Sequence, residues 1–262
     1  MAAPLITLTT DFGSASPYVA VMKGVILSIN PAATILDLTH AIPAQDLRSA
    51  NYYLGTAVPY FPSGTIHICV IDPGVGSSRA ALIVEAAGQR LIGPDNGIFT
   101  TALRKLGGTP TVRRLANSRF WRQCVSSTFH GRDIFAPVAA HLSLGVKPEE
   151  LGTTHTDPVM LPTRTAVTFG KRWQGEVQFI DDFGNLITNI PACKLKCLPV
   201  KASIANGPLT PLRWVRTYAE AASGELVCLF SSDGFFEIAE VNGNATRRLG
   251  VEAGAEVELE WE

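Results

Sequence analysis

The sequence predicts an α/β protein in two parts, a mainly parallel α/β domain over residues 1–162 and a small all-β domain over 163–262. Three observations carry this. In the first half, short β-branched runs alternate with amphipathic stretches, as βαβ units and a parallel sheet require. After Pro162 the amphipathic stretches stop, and short strands follow one another between turn signals. A Pro-containing stretch over 157–171 separates the two patterns.

Residues 5–9 form an apolar, β-branched run, and Thr10-Asp11-Phe12-Gly13-Ser14 follows as a loop. Residues 18–30 read as a helix with Val21, Val25 and Ile29 on one face, stopped by Pro31. A strand is expected at 34–38. A second helix begins near Asp46 with Leu47, Ala50, Leu54 and Ala57 in register. Residues 65–71 are apolar at most positions, as in a strand buried on both faces. Strands at 80–86 and 90–93 and helices at 97–106 and 133–144 complete the first half. The second half offers strands at 176–180, 186–190, 225–230, 235–239 and 255–260. Asp233-Gly234, Asn242-Gly243 and Ala253-Gly254 mark turns between them, and no helix interrupts them.

Composition narrows the class of protein. With 262 residues, 46% hydrophobic and only 17% charged, the chain is long and apolar enough to bury a core and is not disordered. A net charge of −1 gives no basic surface for nucleic acid or an anionic membrane. No stretch reaches the roughly 18 apolar residues of a membrane helix. The start, Met1 to Thr7, does not read as a signal peptide. The five cysteines (Cys69, Cys124, Cys193, Cys197 and Cys228) are scattered, and the Cys193/Cys197 pair has no second pair to complete a zinc site. Reduced thiols in the cytoplasm, with no metal and no cofactor, are expected.

Polar clusters lie just after apolar strands, where open α/β sheets bind ligands. At Thr9-Thr10-Asp11-Phe12-Gly13, a carboxylate at a strand end suits the cis-diol of a ribose; the bland alternative is a turn or helix cap. Asp-Phe-Gly also occurs in kinases, but no Gly-rich loop or catalytic-loop motif accompanies it. Val70-Ile71-Asp72-Pro73-Gly74-Val75-Gly76-Ser77-Ser78-Arg79 puts an aspartate at the end of a buried strand and an arginine seven residues on. It lacks P-loop order, and composition alone reads it as a turn with a surface arginine. Gly93-Pro94-Asp95-Asn96-Gly97 is turn chemistry. Thr128-Phe129-His130-Gly131-Arg132-Asp133 precedes a helix, where a lone histidine is ordinarily structural. Asp181-Asp182-Phe183-Gly184-Asn185 opens the β half, and Ser231-Ser232-Asp233-Gly234 reads as a hairpin turn.

In this order and spacing, these segments resemble the S-adenosyl-L-methionine hydroxide adenosyltransferase family, adenosine-forming hydrolases related to the fluorinase and chlorinase. The resemblance runs from Thr9–Gly13 to Gly243-Asn244-Ala245 and includes Phe183-Gly184-Asn185-Leu186-Ile187-Thr188-Asn189 as a block. It implies an α/β sandwich followed by a barrel-like β domain, and a homotrimer with sites between subunits. It also implies hydrolysis of S-adenosyl-L-methionine to adenosine and L-methionine. The hydrolase triad falls on Asp72, Arg79 and His130, the ribose aspartate on Asp11 and the adenine asparagine on Asn185, with Phe183 beside the ligand. Asp181 and Ser232 match positions near the methionine amine and carboxylate. Ser16 stands where relatives often carry aspartate, and Asp233 where the fluorinase carries arginine. The intact triad favours water over halide as nucleophile.

Chemically, the sulfonium departs as a neutral thioether, so the site must supply an aligned, deprotonated water rather than a general acid. An arginine beside the aspartate makes a poorer base and a better holder of hydroxide. Three rival readings remain at this point, of which a halide-using 5′-halo-5′-deoxyadenosine synthase is the least distinguishable by fold. A non-catalytic nucleoside-binding protein would release no products, and a metal-dependent phosphohydrolase using Asp11 and Asp72 would be stopped by chelator.

Overall fold

The computed structural model describes residues 5–194, 199, 201–208 and 210–261; Met1–Pro4 and Cys197 lie outside them. The chain divides into two compact units, 1–161 and 162–262. The first carries β1 (Leu5–Thr10), α1 (Tyr18–Ile29), β2 (Thr34–Thr39), α2 (Leu47–Ala57), β3 (Ile66–Val70), β4 (Ala81–Ala86), β5 (Gln89–Pro94) and α3 (Thr100–Leu106). After these come β6 (Thr111–Leu115), α4 (Ala136–Ser143), α5 (Pro148–Leu151) and β7 (Gly152–Thr154).

These strands form one seven-stranded sheet in the order β2-β1-β3-β5-β4-β6-β7. The pairs β1–β2, β1–β3 and β3–β5 are parallel, and the pairs on the β4 side are antiparallel. The parallel part is thus half the sheet. The reason is local: only Ala87 and Gly88, both at positive φ, connect β4 to β5, and so short a link makes a hairpin.

Alternating side chains of the sheet feed two cores. Ile6, Leu8, Ile66, Ile68 and Ile83 pack with Met22 and Ile26 of α1 and with the α4 segment. Cys69, Leu82, Val84 and Leu91 pack with Leu54 of α2 and Ala102 of α3 on the other face. Helix α1 buries Val19, Met22 and Ile26, whereas Val21, on the expected face, is exposed. The helix is apolar almost all round, so helical spacing alone admits more than one stripe. The expected helix at 133–144 instead begins as a π-helical turn, Gly131–Phe135, before α4.

The second unit carries β8 (Val167–Phe169), β9 (Arg172–Ile180), β10 (Leu186–Pro191), β11 (Lys201–Ile204), β12 (Thr210–Pro211), β13 (Arg213–Trp214), β14 (Leu226–Phe230), β15 (Phe235–Glu240), α6 (Ala245–Leu249) and β16 (Glu256–Glu260). Its nine strands run β12-β11-β16-β9-β10-β15-β14-β13, with β8 also on β9. The outer strands β12 and β13 are separated in the chain by Leu212 alone. The sheet therefore curls until its edges nearly meet, as a barrel does. Trp173, Val177, Phe236, Ile238 and Leu259 fill it.

One helix here escapes the sequence pattern. The five-residue α6 is capped by Asn244, whose side chain accepts the Arg247 N–H at 2.7 Å, and ends at left-handed Gly250. Its caps define it more than any periodicity.

Leu8→Ala and Phe236→Ala remove fully buried side chains from one core in each unit. Each variant should lose about 2–5 kcal/mol in urea unfolding, whereas Tyr60→Ala, at an exposed side chain, should stay within about 0.5 kcal/mol of the parent.

Candidate active site

Strands β1 and β3 are parallel neighbours, with Thr10 opposite Val70. The residues that follow them, Asp11 and Asp72, therefore emerge at the same edge of the sheet. There they line a cleft of about 210 Å³ together with Phe12, Gln45, Val75, Phe129 and His130.

Asp72 and Arg79 are nearly buried, with side chains 5% and 11% exposed. Arg79 Nε donates to Asp72 Oδ1 at 2.9 Å, and its Nη2 donates to Oδ2. The same Nη2 lies 2.7 Å from His130 Nδ1. A guanidinium only donates, so Nδ1 must accept and the ring proton sits on Nε2. Burial first, and then the Arg79 charge, pull His130 below its ordinary pKa of 6.5, against the opposing charges of Asp72 and Asp133. The imidazole is thereby kept neutral. Arg79 itself stands behind the cleft, joining two residues that line it, with its guanidinium 5.5 Å from the Phe135 ring centre.

Arg79 is not a surface charge, and the His130 side chain makes no capping hydrogen bond to the π-helical turn it precedes.

The loops that carry the site are locked together. Gly76 has φ +77°, and a Cβ there would fall 2.2 Å from the Ser127 carbonyl, so only glycine lets the 73–79 and 126–130 loops touch. Asp133, fully buried, accepts from both Arg132 and Arg122 and from the Ser126 N–H at 2.9 Å. Burial raises its carboxyl, but these hydrogen bonds prevail and hold it below its ordinary range. Asn96 donates to the Ile71 carbonyl at 2.8 Å, bracing the residue before Asp72. Phe12, Tyr18 and Phe129 meet edge to face, 5.2–5.7 Å between ring centres.

Asp11 does not cap α1, whose N-cap is Pro17. Its Oδ2 accepts the Gln45 backbone N–H at 2.8 Å, and Gln45 sits at φ +65°. Gln45 escaped the sequence reading because nothing in its residue type announces a left-handed position. Ser16 donates to the Phe12 carbonyl at 3.0 Å and does not line the cleft.

In the second unit, Asp181 organises the loop that follows β9. Its Oδ1 accepts the N–H groups of Phe183 and Asn185 at 3.0 and 2.8 Å, and its Oδ2 accepts the Asn185 side-chain amide at 2.9 Å. Asn185 is thus oriented and mostly buried, while the Phe183 ring is 75% exposed. A Cβ on Gly184, at φ +81°, would fall 2.2 Å from the Asn244 side chain. Ser232 lies exposed in the hairpin turn between β14 and β15, beside Asp233. Buried Glu237 takes a hydrogen bond from the Tyr218 hydroxyl; burial raises its carboxyl, as do Asp181 and Asp233, against that bond. The sequence reading missed this pair, since an outward-patterned glutamate on a strand carries no signal of burial.

Among the described residues no group of three or more His, Cys, Asp or Glu is gathered to hold a metal ion, and no helix is long and apolar enough to cross a membrane.

Family models of the SAM hydroxide adenosyltransferase N-terminal and C-terminal domains match residues 6–152 and 175–258. A relative from Thermus thermophilus named (R)-S-adenosyl-L-methionine hydrolase is 40% identical, covering 95% of this chain and 97% of its own. A relative of the same name from Salinispora tropica is 37% identical over 96% of this chain and 95% of its own. An uncharacterized conserved protein from Thermotoga maritima superposes with a TM-score of 0.92 at 36% identity, covering 98% of this chain and all of that one. With both halves matched in order and relatives aligned nearly end to end, the chain belongs to the SAM hydroxide adenosyltransferase family.

Proposed function

We propose that the protein hydrolyses S-adenosyl-L-methionine to adenosine and L-methionine through attack of hydroxide on ribose C5′. The observation that carries this reading is the Asp72–Arg79–His130 constellation at a cleft that also presents Asp11. Hydroxide oxygen bonds to C5′ as the C5′–S bond breaks, and the electron pair leaves on sulfur as the neutral thioether of methionine. The leaving group needs neither a general acid nor a metal. The site's work is to hold the nucleophile in line and keep it deprotonated.

Both Asp72 oxygens take N–H groups from Arg79, which fixes the carboxylate's orientation and makes it an anchor for a water proton. The fixed Nε2–H of His130 supplies a donor for the nucleophile's oxygen, and the Arg79 charge behind them favours hydroxide over water. A halide needs no proton removed and gains nothing from such an anchor. Asp11 holds the two ribose hydroxyls. Asn185, oriented by Asp181, reads adenine with Phe183 against the ring, while Ser232 and Asp181 serve the amino-acid end. With Ser16 turned to the Phe12 carbonyl, the ammonium group is left to these residues of the second unit.

The α/β residues and the β residues belong to separate units of the chain. We infer a homotrimer in which the cleft of one subunit is completed by the 181–185 loop of a neighbour. A cytoplasmic location fits the substrate and the four described cysteines, all free thiols.

The test is incubation with S-adenosyl-L-methionine in EDTA and chromatography of the products. Adenosine and methionine in equal amounts are expected; unchanged substrate, or activity only with added metal, overturns the reading. Asp72→Ala mixed with Asn185→Ala, after dissociation and reassembly, should recover activity that neither has alone. An active monomer in sedimentation contradicts the shared site.

Arg79→Ala and His130→Ala should each lower kcat by about 10²-fold, a loss of ~3 kcal/mol, with little change in substrate affinity. Each should be non-additive with Asp72→Ala. Arg79→Lys should not restore activity, since one ammonium cannot replace the fork. In acid, a proton on His130 Nδ1 would break the Arg79 hydrogen bond and set two cations together. The folded pKa lies below the unfolded 6.5, so the folded state binds fewer protons and stability falls as pH drops below that value. Turnover should fall with an acid limb below pH 6.5 that is steeper than in His130→Gln, where only loss of hydroxide remains. Turnover that rises on acidification contradicts the neutral imidazole.

A further inference from the structure

The carboxylate of Asp11 is aimed by two loops, residues 10–13 after β1 and 40–46 after β2, and one histidine ties them. The Gly13 N–H donates to the His40 carbonyl at 2.8 Å, and His40 Nδ1 lies 2.9 Å from the Thr10 hydroxyl. That hydroxyl accepts the Phe12 N–H at 3.3 Å, and because Nε2 faces the Asp37 carboxylate, which only accepts, the ring carries its proton on Nε2 and Nδ1 accepts from Thr10. His40 Nε2 is 3.0 Å from Asp37 Oδ1, and Asp37 Oδ2 accepts from Lys23 at 2.6 Å.

This Thr–His–Asp row has the connectivity of a nucleophile relay, but Thr10 is fully buried and does not line the cleft. It cannot reach a substrate. What it reaches is the backbone on both sides of Asp11. Nor is it a geometry optimised for stability alone: His40 Nε2 is buried, yet its 3.0 Å contact with Asp37 Oδ1 misses hydrogen-bond alignment. Beyond the histidine, the same 40–46 loop delivers the left-handed Gln45 whose N–H holds Asp11 Oδ2. A shift of His40 therefore moves both the strand end that carries the carboxylate and the donor that orients it.

We propose that His40, braced by Asp37 and bonded to Thr10, is a positioning residue for recognition of the ribose diol by Asp11. The proposal rests on the reading of Asp11 given above. His40 acts only through where Asp11 stands, so its removal should weaken ligands that carry both ribose hydroxyls and spare those that lack them.

Calorimetry with adenosine and with 2′,3′-dideoxyadenosine separates this from a merely structural role. His40→Ala should weaken adenosine about tenfold, as loss of a well-placed charge-assisted hydrogen bond does, and leave the dideoxynucleoside unchanged. KM for the substrate should rise in parallel, with kcat within about twofold. His40→Asn, whose amide oxygen can replace Nδ1 toward Thr10, should recover most of the affinity. Thr10→Val, nearly isosteric, should show the same diol-selective loss and carries the comparison if His40→Ala does not fold. Equal weakening of both nucleosides, or weakening of neither, overturns the proposal. Asp11→Ala, measured alongside, should abolish the preference for the diol. If it does not, the ribose reading itself fails; if it does while the His40 and Thr10 variants discriminate nothing, only the positioning role fails.

Discussion

The parallel pairing of β1 with β3 is the constraint on which the first unit depends. Parallel strands end at the same edge, so two carboxylates 61 positions apart in the sequence come to one cleft without any loop having to reach across the sheet. The pairing is fixed by burial: Ile6 and Leu8 on one strand and Ile66 and Ile68 on the other fill the same core. A slip of one residue would turn those side chains to the opposite face and move Asp11 away from Asp72. Stability and site geometry are therefore set by the same hydrophobic pattern.

Behind the cleft, Arg79 is paired with buried Asp72, and in the proposed mechanism this pair sets the chemistry. Withdrawing two charges from water is costly, and two parallel N–H···O bonds offset that cost only while both partners remain. Arg79 then has one N–H left on Nη2, and it goes to His130. That single bond fixes the tautomer, and burial together with the neighbouring charge keeps the ring neutral. An aspartate, an arginine and a histidine thus behave as one unit with a defined donor at its cleft-facing edge. Asp133 and Gly76 serve the same unit from outside by holding the two loops that carry it.

Much of this was legible in the sequence because burial leaves a plain pattern. The run at 65–71 and strands β9, β10, β14, β15 and β16 carry apolar or alternating patterns plain enough to read directly. Strands β12 and β13, two residues each, are too short for any alternation to show, and β7, β8 and β11 are little longer. On α1, Val25 and Ile29 pack against the core as expected while Val21 stays exposed, because the helix is apolar almost all round and the sheet beneath takes Val19, Met22 and Ile26 deepest. At the site, the motif strings located the carboxylates, the arginine and the histidine. They could not show that Arg79 sits behind the cleft, that Gln45 lends a backbone N–H, or that Asp181 uses both oxygens on its own loop. Those are consequences of backbone geometry, to which a side-chain alphabet is blind.

The central claim is that oxygen from solvent becomes the 5′-hydroxyl of adenosine. Turnover of S-adenosyl-L-methionine in oxygen-18 water, followed by mass spectrometry of the nucleoside, tests it most directly. One heavy oxygen in adenosine, located at C5′ by fragmentation, is the expected result. Unlabelled adenosine formed in heavy water would contradict the account, because no solvent-derived hydroxide could then have attacked that carbon.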